Sequence, residues 1–428
     1  MRIAAPGPCP FGPQGAARVH VVGAGVAGLV AALALARSGV AVTLHEATQT
    51  AGGRCRALPD GTDNGTHALM GANHAALRFL AAIGAREAWI EPEPEGLPVL
   101  DLADGRARRI AAAPLAWRDP ARRPPGLSAG GLLALLAMAL PLADRPVAAA
   151  MAKHPALLRG FVEPLTVAAL NTPVAEASSA RLGQVLRRLG GPGAGRLLVA
   201  REGLGPGLIA PALAALRAAG AEIRLGSRLR ALTSAEGRVT ALHLGEASLP
   251  LGEADAVILA LPPWEAARLI PGLTVPERHA PILNLHFAHA TPGPVRFLGL
   301  LGGLTQWVLV RPAGVSVTVS AADAESEEPA EALAPRAWAE IRRAAAAFAL
   351  AGPWPEAPPP CRAVKERRAT PRHAVGIAPH APRRAMRNLA LAGDWTWPGL
   401  PATIEAAARS GEAAARALLP CLPRNAAA

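Results

Sequence analysis

Residues 19–57 have the sequence VHVVGAGVAGLVAALALARSGVAVTLHEATQTAGGRCRA, which combines two short apolar runs with six glycines. The first run is β-branched and predicts a strand, and the segment VAALALARSG has helical spacing that ends at Gly39. The turn between them is rich in glycine. Gly23 permits a tight turn, Gly25 lets the backbone approach a pyrophosphate, and Gly28 lets the helix lie close to the strand.

A second apolar run, VAVTLHE, follows this helix and ends at Glu46. A carboxylate at that place accepts hydrogen bonds from ribose hydroxyls and argues against a 2′-phosphate, so NADP is not expected here. The next loop, TAGGRCRA, brings Gly52 and Gly53 near the phosphates, and Arg54 can neutralise their charge. This second glycine loop favours FAD over NAD, and the stretch predicts a Rossmann-like FAD-binding unit.

The matching half of the flavin site is predicted near the other end of the sequence, in NLALAGDWTWPGLPATIEAAARSGEAAARAL (388–418). An apolar strand is followed by a turn at Gly393 and Asp394 and by a long helix that begins near Thr403 and Ile404. Asp394 is expected to hold a ribityl hydroxyl. The positive end of the helix is expected to face the pyrimidine edge of the flavin.

Composition narrows the class of protein. The 428 residues suffice for two or three domains, and the charge of +12 suits an anionic membrane or a nucleic acid. Aromatic residues make up only 3%, which argues against nucleic acid. The absence of Tyr excludes a phenol mechanism. Four cysteines without a CxxC pair predict no zinc site and fit reduced thiols in the cytosol, and no secretory signal is predicted.

Residues 279–320 contain apolar runs separated by Pro and Gly turns and predict a mostly antiparallel sheet that contacts the substrate. His286 and His289 are three residues apart and would face opposite sides of a strand, so no metal site is expected. Another glycine cluster, GLGPG at 203–207, lacks the dinucleotide spacing and the terminal acid. No second nucleotide-binding domain is predicted, so an external electron donor is an open possibility.

Four blocks are similar to the squalene-associated FAD-dependent enzymes of hopanoid biosynthesis, the hydroxysqualene dehydroxylases, within the flavin amine oxidase and phytoene desaturase superfamily. They are DNGTHALMGANHAALRFLAAIG (63–84), PLTVAALNTPVAEASSA (164–180), KERRATP (365–371) and LAGDWTWPGLPATIEAAARSGEAAA (391–415). The resemblance extends from about residue 18 to 420. It departs in REGLGPGLIAPAL (201–213), which is looser than the family pattern, and in KERRAT, which lacks an aromatic residue.

The resemblance implies an α/β fold. A Rossmann-like FAD-binding domain of the GR2 type, predicted from residues 18–100, 196–262 and 386–420, would be interleaved with a substrate-binding domain of mixed or antiparallel sheet plus helices, predicted from 101–195 and 263–385. Residues 1–17 and 421–428 are predicted to be disordered tails. The backbone of Leu229 is expected to meet the adenine of FAD.

The resemblance also implies the reaction: reductive removal of the allylic hydroxyl of hydroxysqualene, an isoprenoid, to give squalene. An acid must protonate the leaving hydroxyl. Asp63 and His67 are the candidates, and the alternative for both is a role in fixing their loop. Two other functions remain open. One is a carotenoid-type desaturase or amine oxidase working in the oxidative direction, and the other is a flavin-free protein that escorts isoprenoids.

The segment GLLALLAMALPLA (131–143) is uncharged but too short to span a bilayer. It predicts either a buried helix of the substrate-binding domain or an interfacial helix through which the isoprenoid enters from lipid. In the second case Leu133, Leu136 and Met138 are expected at the entrance. The protein is accordingly expected in the cytoplasm, bound peripherally to the inner face of the membrane.

Overall fold

The computed structural model describes residues 17–140, 143–377 and 384–419. The tails predicted at 1–17 and 421–428 lie outside this part of the chain, except for residue 17. Pro141 and Leu142, in the apolar segment, also lie outside it.

The strands form two large sheets and two small ones. In chain order they are β1 (Arg18–Val22), β2 (Ala41–His45), β3 (Ala68–Met70), β4 (Trp89–Ile90), β5 (Leu97–Asp101), β6 (Ala107–Ile110), β7 (Leu197–Ala200), β8 (Glu222–Arg224), β9 (Leu229–Ala235), β10 (Arg238–Leu244), β11 (Ala247–Pro250), β12 (Ala256–Leu259), β13 (His279–Phe287), β14 (Arg296–Leu301), β15 (Trp307–Arg311), β16 (Gly314–Ser320), β17 (Cys361–Pro371), β18 (Arg384–Met386) and β19 (Leu389–Leu391).

The helices pack around these sheets. They are α1 (Val26–Ala36), α2 (His74–Ala82), α3 (Ala129–Ala139), α4 (Val147–Ala150), α5 (Pro155–Leu157), α6 (Glu163–Leu170), α7 (Ser179–Leu189), α8 (Ala210–Ala218), α9 (Pro263–Leu269), α10 (Ala330–Ala347) and α11 (Ile404–Leu418). Within the described ranges, no helix is both long enough and apolar enough to cross a membrane.

The six-stranded sheet has the order β18-β19-β12-β1-β2-β8, and β1 pairs in parallel with β2 and β12. Helix α1 follows β1 through the glycine turn, as predicted. Gly23 has φ +104°, and a Cβ on Gly28 would lie 1.9 Å from Gly23 O, so bare backbone is needed for the helix to approach the strand. Helix α11 packs on α1 just as closely, because a Cβ on Gly411 would lie 2.3 Å from Ala27 O.

The seven-stranded sheet has the order β17-β13-β16-β15-β14-β5-β6 and is antiparallel except for the β14–β5 pair. Helix α10 covers one face, where Trp338 and Ile341 are fully buried. The predicted domain boundary at residue 100 falls inside β5. Residues 97–100 belong to this sheet through the pairing of β5 with β14, and the predicted domain boundaries stay a prediction.

Helix α3 is neither wholly buried nor wholly exposed. Leu135 and Met138 belong to a buried cluster with Trp117, whereas Leu133 and Leu136 are 66% and 54% exposed. The expectation that Met138 stands at a lipid entrance is therefore wrong, because its side chain faces the protein core. The two leucines remain on the solvent side.

Candidate functional site

A cavity of about 1030 Å³ extends between the two large sheets. Its polar end is formed by the loops after β1, β2 and β19, and its apolar end by the seven-stranded sheet and helices α6 and α7. All the predicted cofactor residues except Gly28 line the cavity. The lining residues among them are Gly23, Gly25, Glu46, Gly52, Gly53, Arg54, Leu229, Gly393, Asp394, Thr403 and Ile404. Gly28 lies beneath the turn, where it packs on β1.

The two glycine loops contact each other at the polar end. Gly52 N–H donates to Ala24 O at 2.8 Å, and a Cβ on Gly53 would lie 3.3 Å from the Cα of Gly25. A Cβ on Gly25 would meet nothing within 4 Å, so Gly25 faces open space in the cavity. The loops thus leave a concave backbone surface at the N-terminus of α1, which suits a pyrophosphate.

Glu46 ends β2 at the edge of this surface. Ala24 N–H donates to Glu46 Oε2 at 2.9 Å, and Thr48 N–H donates to Oε1 at 3.0 Å. These bonds hold the carboxylate beside the phosphate turn, where its remaining lone pairs can accept ribose hydroxyls. Leu229, the first residue of β9, lines the same end of the cavity. Its predicted contact with adenine stays a prediction.

Arg54 and Asp394 form an ion pair of 2.7 Å that joins the N-terminal and C-terminal parts of the site. Burial alone would lower the pKa of the Arg54 guanidinium, but the charge of Asp394 outweighs it and raises that pKa. Arg54 also donates to Ala369 O at 2.5 Å. The structure therefore directs the Arg54 charge toward Asp394, and the predicted contact of Arg54 with the phosphates stays a prediction.

Asp394 is 6% exposed, and both of its hydrogen bonds use Oδ1. Within the described chain no donor contacts Oδ2, so this oxygen is available to a ribityl hydroxyl. Nearby, Thr403 caps α11 by accepting from Ala406 N–H at 3.2 Å. The open backbone at Gly25, the free acceptor on Asp394 and the size of the cavity together fit a flavin dinucleotide.

The two acid candidates are placed differently. Asp63 is 3% exposed and does not line the cavity. It accepts from Leu204 N–H at 2.7 Å and pairs with Arg311 at 3.1 Å. These partners fit the loop-fixing alternative, and the role of Asp63 as the acid stays a prediction.

His67 lines the cavity, and its Nδ1 lies 3.0 Å from Gly65 O. A carbonyl only accepts, so Nδ1 carries a proton, and the Cys55 side chain is a second hydrogen-bond partner of the ring. Burial alone would lower the pKa of His67, but the neighbouring Cys55 sulfur and the Gly65 carbonyl outweigh it and raise the pKa to about 9. The raised pKa favours the protonated form of the ring.

The sequence pattern did not indicate Asn284 or Cys55. Asn284 lies in β13, is 2% exposed and lines the cavity beside Gly65. The only signal was a polar residue inside the apolar run ILNLHF. His286 and His289, in contrast, do not line the cavity, and no cluster of metal-ligating side chains occurs in residues 17–140, 143–377 and 384–419.

Comparison with known proteins identifies the family of the chain. The model of the family described as flavin containing amine oxidoreductase matches residues 26–297. A hydroxysqualene dehydroxylase of Rhodopseudomonas palustris is 40% identical over 94% of this chain and 98% of its own length. A hydroxysqualene dehydroxylase of Sinorhizobium fredii is 36% identical over 93% of this chain and 97% of its own length. The solved cyclohexylamine oxidase of Brevibacterium oxydans covers 95% of this chain and 99% of its own, with a TM-score of 0.68 and 17% identity.

Proposed function

The chain belongs to the flavin containing amine oxidoreductase family, as its sequence predicted, and we propose that it reductively removes the hydroxyl group of hydroxysqualene to give squalene. It is an oxidoreductase whose cofactor is FAD. The two relatives, which match 94% and 93% of the chain, carry the name of this activity. The observation that carries the proposal is the apolar end of the cavity.

That end is lined by hydrocarbon and aromatic side chains from β5, β14, β15, α6, α7 and the turn that precedes α6. They include Val99, Phe161, Leu165, Val185, Leu189, Phe297, Leu300 and Trp307. Such a wall matches a long hydrocarbon, since burial of apolar surface contributes about 25 cal/mol per Å². It continues directly from the flavin end, so a chain bound there can present an inner carbon atom to the cofactor.

The reaction breaks one C–O bond, forms one C–H bond, releases water and consumes two electrons and two protons. When bound, the reduced flavin supplies the hydride. The protein must give a proton to the leaving oxygen and exclude water from the allylic cation. His67 is the group in the cavity suited to the proton transfer, and the apolar wall excludes water.

Anaerobic incubation of the photoreduced protein with hydroxysqualene, followed by extraction, tests the proposal. Squalene is expected in an amount equal to the flavin, and the oxidised protein is expected to form none. If instead phytoene or an amine reduces the oxidised flavin, the oxidative alternative replaces the proposal. Protein that purifies without flavin absorbance, yet binds the isoprenoid, would indicate the escort function. Repeating turnover with NADH, NADPH or a reductase identifies the donor.

We further propose that the protein takes this substrate from a membrane surface, on the inner face, through the solvent side of α3. Leu133, Leu136 and Leu140 project from it, and Arg187 donates to Ala139 O at its C-terminal end. The helix packs beside Trp117. Close to that Trp in sequence, Leu115 is 58% exposed and lines the cavity.

A Leu133→Ser, Leu136→Ser double variant tests this surface. Each leucine contributes about 1.5 to 3 kcal/mol when fully buried, so flotation with anionic vesicles should fall strongly while flavin content stays unchanged. Leu225→Ser, at another exposed leucine, is the control. If the parent and the double variant float equally with the vesicles, these leucines do not contribute to membrane binding.

A further inference from the structure

Asn284 is an isolated polar side chain where the apolar wall meets the flavin end of the cavity. It stands in the middle of β13, opposite Thr318 of β16, and is 2% exposed. A buried amide costs free energy unless its hydrogen bonds are made. Its position between Leu283 and Leu285, in the middle of the strand, therefore needs an explanation.

The orientation of this amide follows from its partners. Thr318 Oγ1 donates to Asn284 Oδ1 at 2.8 Å, and Thr66 N–H points to the same oxygen at 3.4 Å. A backbone N–H can only donate, so the atom that faces Thr66 must be the oxygen. The amide nitrogen, Nδ2, consequently lies on the other side. No acceptor contacts it within the described ranges of the chain.

Gly65 neighbours both this nitrogen and His67. A Cβ on Gly65 would lie 3.0 Å from Asn284 Nδ2, while Gly65 O lies 3.0 Å from His67 Nδ1. The amide and the imidazole thus flank one glycine, and both line the cavity. One presents an N–H donor and the other a transferable proton.

We propose that Asn284 Nδ2 donates a hydrogen bond to the substrate's hydroxyl oxygen and so directs that oxygen toward His67. This rests on the proposed function. An alcohol oxygen has two lone pairs: one accepts from Asn284, and the other takes the proton from His67 as the C–O bond breaks and water leaves. Squalene lacks this oxygen, so the amide distinguishes substrate from product and favours product release.

Binding to the oxidised protein tests the inference, because no turnover is then required. In detergent micelles, Asn284→Leu should weaken hydroxysqualene binding about tenfold, the effect of one lost hydrogen bond, and leave squalene binding unchanged. Thr305→Val, which removes a buried hydroxyl away from the cavity, is the control and should change neither constant. Loss of affinity for both ligands alike, or for neither, would overturn the inference.

If Asn284→Leu does not fold, Gly65→Ala tests the inference instead. Its methyl group displaces the Asn284 amide but leaves the amide chemically unchanged. The affinity for hydroxysqualene should again fall relative to the affinity for squalene. An unchanged ratio of the two dissociation constants would refute the subsite. Parent protein that prefers hydroxysqualene in binding, yet forms no squalene when reduced, would refute the proposed function and leave the subsite standing.

Discussion

Substitution of Gly25 by Val separates cofactor binding from folding. Gly25 precedes α1 with φ −72° and ψ 173°, an extended conformation that any residue adopts. A Cβ there meets no atom within 4 Å. Valine should therefore fit the folded chain and project its two methyl groups into the space between the glycine loops.

The magnitude follows from the hydrogen bonds that valine would prevent. A pyrophosphate at this turn accepts from backbone N–H groups, and each hydrogen bond to a charged group contributes about 1.5 to 3 kcal/mol. Loss of two such bonds costs about 3 to 6 kcal/mol, which raises the flavin dissociation constant by about 10² to 10⁴. Gly25→Val should thus purify with little or no flavin.

The flavin-to-protein ratio and the thermal midpoint of the flavin-free forms measure the two effects separately. Gly25→Val should match the parent in apoprotein midpoint. Gly28→Val, whose Cβ would lie 1.9 Å from Gly23 O, should instead fail to fold or melt far lower. If folded Gly25→Val retains the flavin content of the parent, the pyrophosphate does not bind at this turn. If its apoprotein thermal midpoint falls strongly, the side chain at position 25 does not lie in open space.

Three further predictions concern ionisable groups. Burial lowers the pKa of His20 and His45 to about 4 and that of His373 to about 3. Below pH 6.5 these histidines therefore bind protons in the unfolded chain but not in the folded chain. The free energy of unfolding should therefore fall as the pH drops from 6.5 toward 4, by up to about 1.4 kcal/mol per pH unit for each histidine, with a weaker slope in His373→Gln urea melts. Asp394→Asn should lower flavin content and cost about 1 to 2 kcal/mol in urea unfolding, a figure reduced for the solvent exposure of its arginine partner. His67→Gln should retain flavin but lose about 10² to 10⁴ in the rate of flavin reoxidation by hydroxysqualene, and the fall in rate that the parent shows near pH 9 should disappear.

The flavin-binding half could be predicted from the sequence because its determinants are local. Strand, turn, helix and acid follow one another within residues 19–46, and each carries its own pattern of apolar residues or glycine. The family and the α/β fold predicted from these blocks are confirmed. The Arg54–Asp394 ion pair joins positions 340 residues apart, and nothing in either segment indicates that the two side chains meet.

The choice between Asp63 and His67 also depended on long-range contacts. Both stand in DNGTH, and both are chemically able to give a proton. Arg311 and Leu204, which contact Asp63, lie on distant segments whose sequences show no reason to approach the DNGTH loop. Asn284 was missed for a related reason, because a polar residue in a strand gains a function only from what faces it across the cavity.

Helix α3 shows the same limit in a form that bears on substrate entry. Its apolar residues run almost without interruption, so the sequence has no polar face from which to deduce the buried one. Gly183 of α7 determines which face of α3 is buried. Because Gly183 has no side chain, α7 can approach the carbonyl oxygen of Met138, which would lie 1.9 Å from a Cβ on Gly183. Met138 is thereby buried, and Leu133 and Leu136 are left on the opposite side. Substituting Gly183 would separate the helices at the place where Val185 and Leu189 of α7 line the cavity. The packing that leaves the leucines exposed is therefore also the packing that shapes this wall of the cavity.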